Sequence, residues 1–184
     1  MSNVITICGS LRKASFNRML TNLLPALAPA GMTITQAPSI DMPLYNADVQ
    51  AQGFPAPATA LADAIRAADG VIVVSPEYNY SIPGPLKNAI DWVSRVKDQP
   101  FANKPVCLQS AAMGILGGGR MQYHMRTTMV FLDALVFNRP EVFVSLAHTK
   151  FDEKTGELKD EATRTVVKQQ LEAFAKFIAQ HGGK

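Results

Sequence analysis

Val71-Ile72-Val73-Val74-Ser75-Pro76-Glu77-Tyr78-Asn79-Tyr80-Ser81-Ile82-Pro83-Gly84-Pro85-Leu86-Lys87-Asn88-Ala89-Ile90-Asp91-Trp92 is the stretch on which the fold turns. It opens with an unbroken β-branched apolar run lacking polar alternation, the pattern of a strand buried on both faces of a parallel sheet. A proline-rich turn follows, and Pro85 to Val96 then reads as an amphipathic helix opened by proline. The same strand, turn and helix grammar extends in both directions. Val4 to Cys8, Met32 to Gln36, Val106 to Leu108 and Val142 to Val144 are further strand candidates. Asn17 to Ala28, with Pro25 expected to end or kink it late, Pro57 to Ala68, Gly119 to Ala134 and Glu161 to Gln180 are helix candidates. This alternation predicts an open, doubly wound α/β sheet with right-handed crossovers. There is no internal repeat or low-complexity linker, so residues 1–184 are expected to form one domain.

Composition narrows the function classes. A chain of 184 residues, 47% hydrophobic and 18% charged, buries about 70% of its unfolded surface and needs neither a disulfide framework nor a structural metal. Eighteen Lys and Arg against fifteen Asp and Glu give a net charge of +3 without a dense basic block, which suits small anions and argues against a nucleic-acid partner. Cys8 and Cys107 each sit at the end of or within an apolar run and read as small buried hydrophobes. No apolar stretch approaches the about 18 residues of a membrane span, and Met1-Ser2-Asn3 lacks the features of a signal peptide. The expectation is a cytoplasmic protein that has no membrane partner, with reduced thiols. His124, His148 and His181 are too scattered for a metal site, and Asp152-Glu153-Lys154-Thr155-Gly156 lacks the alternating oxygen ligands of a calcium loop.

Three connections carry chemistry, and each follows the carboxyl end of a predicted strand, where open α/β sheets bind ligands. In Gly9-Ser10-Leu11-Arg12-Lys13-Ala14-Ser15-Phe16-Asn17, hydroxyls and cations meet a helix start, which suits a phosphate. Ser15 as a plain helix cap is the alternative. The spacing matches neither Gly-x-Gly-x-x-Gly nor a P-loop. In Ser75 to Gly84, prolines stiffen the turn and Tyr78 and Tyr80 flank it, so backbone groups can meet the edge of a planar heterocycle. Such a turn also needs no ligand at all. Ser110 to Gly119, with Gly114, Gly117 and Gly118, lets backbone approach a ligand closely. Together the three loops would hold both ends of one mononucleotide-like ligand. A fourth long segment, Ala37 to Ala56, is expected to cover either a site or an interface.

Gly9-Ser10-Leu11-Arg12-x-x-Ser15-x-Asn17 and Pro76-Glu77-Tyr78-Asn79-x-Ser81-x-Pro83-Gly84-x-Leu86-Lys87-Asn88-Ala89-Ile90-Asp91-Trp92 closely resemble motifs of the NADPH-dependent FMN reductases, particularly the bacterial quinone and chromate reductases. Leu44-Tyr45-Asn46 and Gln122-Tyr123-His124 extend the resemblance through the chain. It implies a flavodoxin-like, five-stranded parallel sheet in the order 2-1-3-4-5, with noncovalent FMN and NADPH or NADH as donor. Ser10, Arg12, Ser15, Phe16 (through its backbone) and Asn17 would hold the phosphate. Pro76, Glu77, Tyr78 and Asn79 would line the isoalloxazine, and Ser110, Gly114, Gly117 and Gly118 would close the remaining edge. No side chain would be catalytic, the flavin N5 carrying the chemistry. The implied reaction is a ping-pong, two-electron transfer to quinones or to free flavin, azo compounds or chromate. The family resemblance also implies a homodimer or homotetramer, with Tyr80, Arg120, Tyr123 and Glu141 in the substrate pocket or a polar subunit interface. The rival is a flavodoxin-type one-electron carrier, but such carriers are typically acidic and this chain is not.

Overall fold

The computed structural model describes Met1 to His181. The chain runs β1 (Ser2–Cys8), α1 (Phe16–Leu27), β2 (Met32–Gln36), α2 (Ala47–Gln50), α3 (Ala56–Ala67), β3 (Gly70–Val74) and α4 (Gly84–Val93). It continues through β4 (Pro105–Ala111), α5 (Gly119–Phe131), β5 (Leu135–Val136), β6 (Val142–Val144), α6 (Ala147–Lys150) and α7 (Glu161–His181). All strand pairs are parallel, in the expected order β2-β1-β3-β4-β5.

The sheet has six strands where five were expected, because two short strands share its fifth place. β5 pairs with Pro105 and Val106, whereas β6 pairs with Gln109, Ser110 and Ala111 farther along the same side of β4. Between them the polar run Asn138-Arg139-Pro140 leaves the ladder, since proline has no N–H to donate. Leu135-Val136 alone is too short to show a strand pattern.

Helices cover both faces. β3 shows why its sequence lacks alternation: Ile72 and Val74 pack with Leu20, Leu24, Leu171 and Phe174 of α1 and α7. Val71 and Val73 join Leu61, Ile65, Leu86, Met121 and Met125 of α3, α4 and α5 on the other side. Each fully buried aliphatic side chain contributes about 1.5–3 kcal/mol. α1 runs only two residues beyond Pro25, consistent with that residue ending it late.

The segment 37–56 packs on α4. Asn88 Oδ1 accepts from the Tyr45 N–H at 2.7 Å, while Asn88 Nδ2 and Trp92 Nε1 donate to the Pro43 carbonyl at 2.9 and 2.8 Å. Asn88 and Trp92 stand four residues apart, on one helix face. Tyr45 meets the buried Trp92 edge-on with ring centroids 5.1 Å apart. Among the described residues, no helix is long and apolar enough to cross a membrane.

Candidate functional site

A cavity of about 630 Å³ opens at the carboxyl ends of β1, β3 and β4. The structure brings Ser10, Arg12, Ser15, Phe16, Asn17, Pro76, Glu77, Tyr78, Gly114, Gly117, Gly118 and Arg120 onto its wall. Asn79, Tyr80, Ser110, Tyr123 and Glu141 are not on that wall. Ala111, Ala112, Met113, Ile115 and Leu116 also line it. They were not chosen from the sequence because small and apolar side chains carry no chemical signature.

The first wall begins where β1 ends. A Cβ on Gly9 would come within 2.7 Å of Ser75 Cβ and 2.9 Å of Leu86 Cδ2, so glycine alone lets the chain cross there. Ser15 does cap α1, its Oγ accepting from the Arg18 N–H at 3.0 Å. Its own hydroxyl hydrogen remains available to donate. Phe16 turns its ring into the core against Phe151. Asn17 commits both ends of its amide to Ala111, donating to the carbonyl at 2.8 Å and accepting from the N–H at 2.9 Å, which ties α1 to β4. These two residues therefore present first-turn backbone N–H groups, at the positive end of the helix dipole. Arg12 is exposed at the rim, and none of the ion pairs among the described residues includes it.

The second wall is a braced turn. Tyr78 and Ser81 exchange backbone hydrogen bonds at 3.0 and 2.9 Å around Asn79 and Tyr80, which both take positive φ, +49° and +66°. Glu77 ties this wall to α5: its carboxylate accepts from the Met121 N–H and from Arg120 Nη1, each at 3.2 Å. A carboxylate at a helix N-terminus is also favoured by the dipole. The Arg120 guanidinium lies 3.8 Å from the centroid of the exposed Tyr80 ring. His124 Nδ1 and Ser81 Oγ, 2.9 Å apart, make a second tie to α5.

The third wall depends on Gly117 and Gly118, with φ +56° and +89°. A Cβ on Gly117 would sit 2.8 Å from the Phe143 carbonyl carbon, and one on Gly118 would sit 2.7 Å from Ser110 Cβ. Ser110 is fully buried and braces this turn from behind, its Oγ donating to the Gly117 carbonyl at 2.6 Å.

The donor set separates into two ends. One end offers a guanidinium, two hydroxyls and helix N–H groups, which fit a phosphate. The other offers two backbone walls beneath an exposed apolar rim of Tyr78, Met113, Ile115 and Leu116, which fits a planar heterocycle. These residues fit FMN. Away from the cavity, Tyr123 OH donates to Glu141 Oε1 at 3.2 Å, and Arg126 lies 3.7 Å from the same oxygen, so this cluster closes within the chain. Cys107 is fully buried on β4, and burial pushes its thiol well up, outweighing the opposing pull of Arg126 and the Leu108 N–H. It belongs to the core, as does Cys8. Among the described residues, no group of three or more His, Cys, Asp or Glu side chains is arranged to hold a metal ion.

Comparison with known proteins agrees with this geometry. A protein named quinone reductase from Escherichia coli (strain K12) is 55% identical over 177 residues, covering 95% of this chain and 94% of the relative. An NAD(P)H-dependent FMN reductase of Pseudomonas aeruginosa is 44% identical over 180 residues, covering 98% and 97% of the two chains. Among solved structures, FerB of Paracoccus denitrificans, a flavoenzyme NAD(P)H:(acceptor) oxidoreductase, superposes with a TM-score of 0.88 at 30% identity, covering 100% of both chains. The family model described as NADPH-dependent FMN reductase matches residues 2–149, and the chain belongs to that family.

Proposed function

We propose that the chain transfers two electrons from NADPH or NADH to quinones, with donor and acceptor using one cavity in turn. The observation that carries this reading is the division of a single cavity into an anion-binding end and a backbone-walled end with an open apolar rim. Arg12, the hydroxyls of Ser10 and Ser15 and the N–H groups of Phe16 and Asn17 hold the FMN phosphate. Pro76, Glu77 and Tyr78 on one side, and Gly114, Gly117 and Gly118 on the other, hold the ring through main chain; Asn79 and Ser110 shape these walls from outside. When bound, FMN supplies the hydride chemistry at its N5. The chain contributes position, fixed N–H dipoles and an exposed rim rather than a nucleophile or an acid. The same rim admits free flavin, azo compounds or chromate.

The test is anaerobic. FMN-loaded protein is expected to bleach with NADPH and recover its colour with a quinone, and double-reciprocal plots at several quinone concentrations are expected to run parallel. Intersecting lines would overturn the shared-cavity order, and loaded protein that NADPH cannot bleach would favour a one-electron carrier.

The assembly we propose is a homodimer or homotetramer, with Tyr80, Arg120, Tyr123 and Glu141 on a polar contact face. Glu141→Ala is then expected to shift the sedimentation profile or lower turnover; with both unchanged, the proposal fails. Two buried, unpaired thiols suit the reducing cytoplasm, where we place the enzyme.

A further inference from the structure

Gln122 is fully buried on α5, behind the glycine wall. Burying an amide is costly unless its hydrogen bonds are made. Its Nε2 makes two, to Ser110 Oγ and to the Val142 carbonyl, each at 2.8 Å. The Val142 carbonyl only accepts, so it fixes which end of the amide faces β4. Gln122 Oε1, on the other end, has no partner among the described residues.

Ser110 accepts from Gln122 and passes its own hydrogen to the Gly117 carbonyl at 2.6 Å. The chain of donors therefore runs from α5 through β4 to the cavity wall. In a planar trans peptide the C=O and the following N–H point in opposite directions. With the Gly117 carbonyl held back against Ser110, the Gly118 N–H is directed away from Ser110, toward the cavity that Gly118 lines. That N–H has no backbone acceptor among the described residues, although Gly118 is buried. Both glycines lie in the left-handed region, where they can rotate at little steric cost once the carbonyl is released.

We infer that Gln122 is a positioning residue for the flavin: through Ser110 it sets the Gly117–Gly118 peptide so that the Gly118 N–H faces the bound ring. The inference rests on the reading of the cavity as an FMN site.

Gln170 provides a matched control. It is also a buried amide, on α7 across the sheet, where it donates to the Pro140 carbonyl at 2.8 Å and accepts from Gln109 Nε2 at 2.8 Å, yet it does not line the cavity. Gln122→Met and Gln170→Met each remove a buried amide while keeping volume. FMN is titrated into each apoprotein by fluorescence quenching, and the reduction potential of the bound flavin is measured alongside thermal unfolding. Both variants are expected to unfold at lower temperature. Only Gln122→Met is expected to bind FMN at least tenfold more weakly and to shift the potential downward, because the missing N–H dipole favours the reduced, more negative form.

Ser110→Ala, which deletes only the middle hydroxyl, is expected to move both readouts in the same direction, and it decides alone if Gln122→Met does not fold. Binding within twofold of wild type in the deciding variant, or an equal loss in Gln170→Met, overturns the inference. Wild-type apoprotein that does not bind FMN overturns the site reading itself.

Discussion

Arg12 is the one cation on the cavity wall outside any ion pair among the described residues, so its guanidinium is available to an anion. Arg12→Ala is expected to weaken FMN binding about tenfold to a hundredfold, since a hydrogen bond to a charged group contributes about 1.5–3 kcal/mol. The loss should shrink as salt is raised, because the contact lies at an exposed rim; equilibrium titration at low and high salt reads both effects. Asp152 offers a residue-scale test of pH dependence. The Lys159 ammonium, followed by the N–H groups of Lys154 and Thr155, holds its carboxyl down at about 2. A depressed folded-state value gives stability that is present above the unfolded value, about 3.9, and lost as pH falls through the folded one. Asp152→Asn should therefore flatten the stability profile between about pH 4 and about pH 2, as read by urea midpoints across that window.

At the scale of elements, α4 does two tasks with one motif. Lys87 and Asp91 pair along its exposed side at 2.7 Å, while Asn88 and Trp92 clasp the segment 37–56. Asn88→Ala leaves the Tyr45 N–H without its acceptor and is expected to cost about 1–3 kcal/mol. It should also open the segment to limited proteolysis; urea denaturation and digestion kinetics check these together. The motif Leu86 to Trp92 was conspicuous in the sequence, but the clasp was not, because the partners of Asn88 are backbone groups more than 40 residues away. The long strands were legible for the opposite reason: burial on both faces leaves its mark on every residue of β3. β5, two residues long, leaves no mark. Within the site, Arg12, Ser10 and Gly118 were legible by residue type. The bracing roles of Ser110 and Gln122 were not, since a side chain's type does not say whether it faces the cavity or its support.

For the molecule as a whole, the net charge of +3 acts on traffic rather than on fold. kcat/KM for NADPH is expected to fall as ionic strength rises, with kcat much less affected, because screening slows the approach of an anionic donor; initial rates over a salt series measure this. The fold itself distributes labour between the sheet and its upper edge. Residues packed on the sheet are committed on both faces, whereas Tyr78, Met113, Ile115 and Leu116 are exposed at the rim. Because the flavin ring would be gripped mainly by main chain and the phosphate at the far end of the cavity, the side chains at these four positions are free to vary without disturbing either the core or the cofactor. Mutation there would change which acceptors are reduced while leaving the protein folded and coloured. A lineage carrying such a scaffold can acquire new substrates by drift at its rim, and a directed library restricted to those four positions would retrace that route in the laboratory.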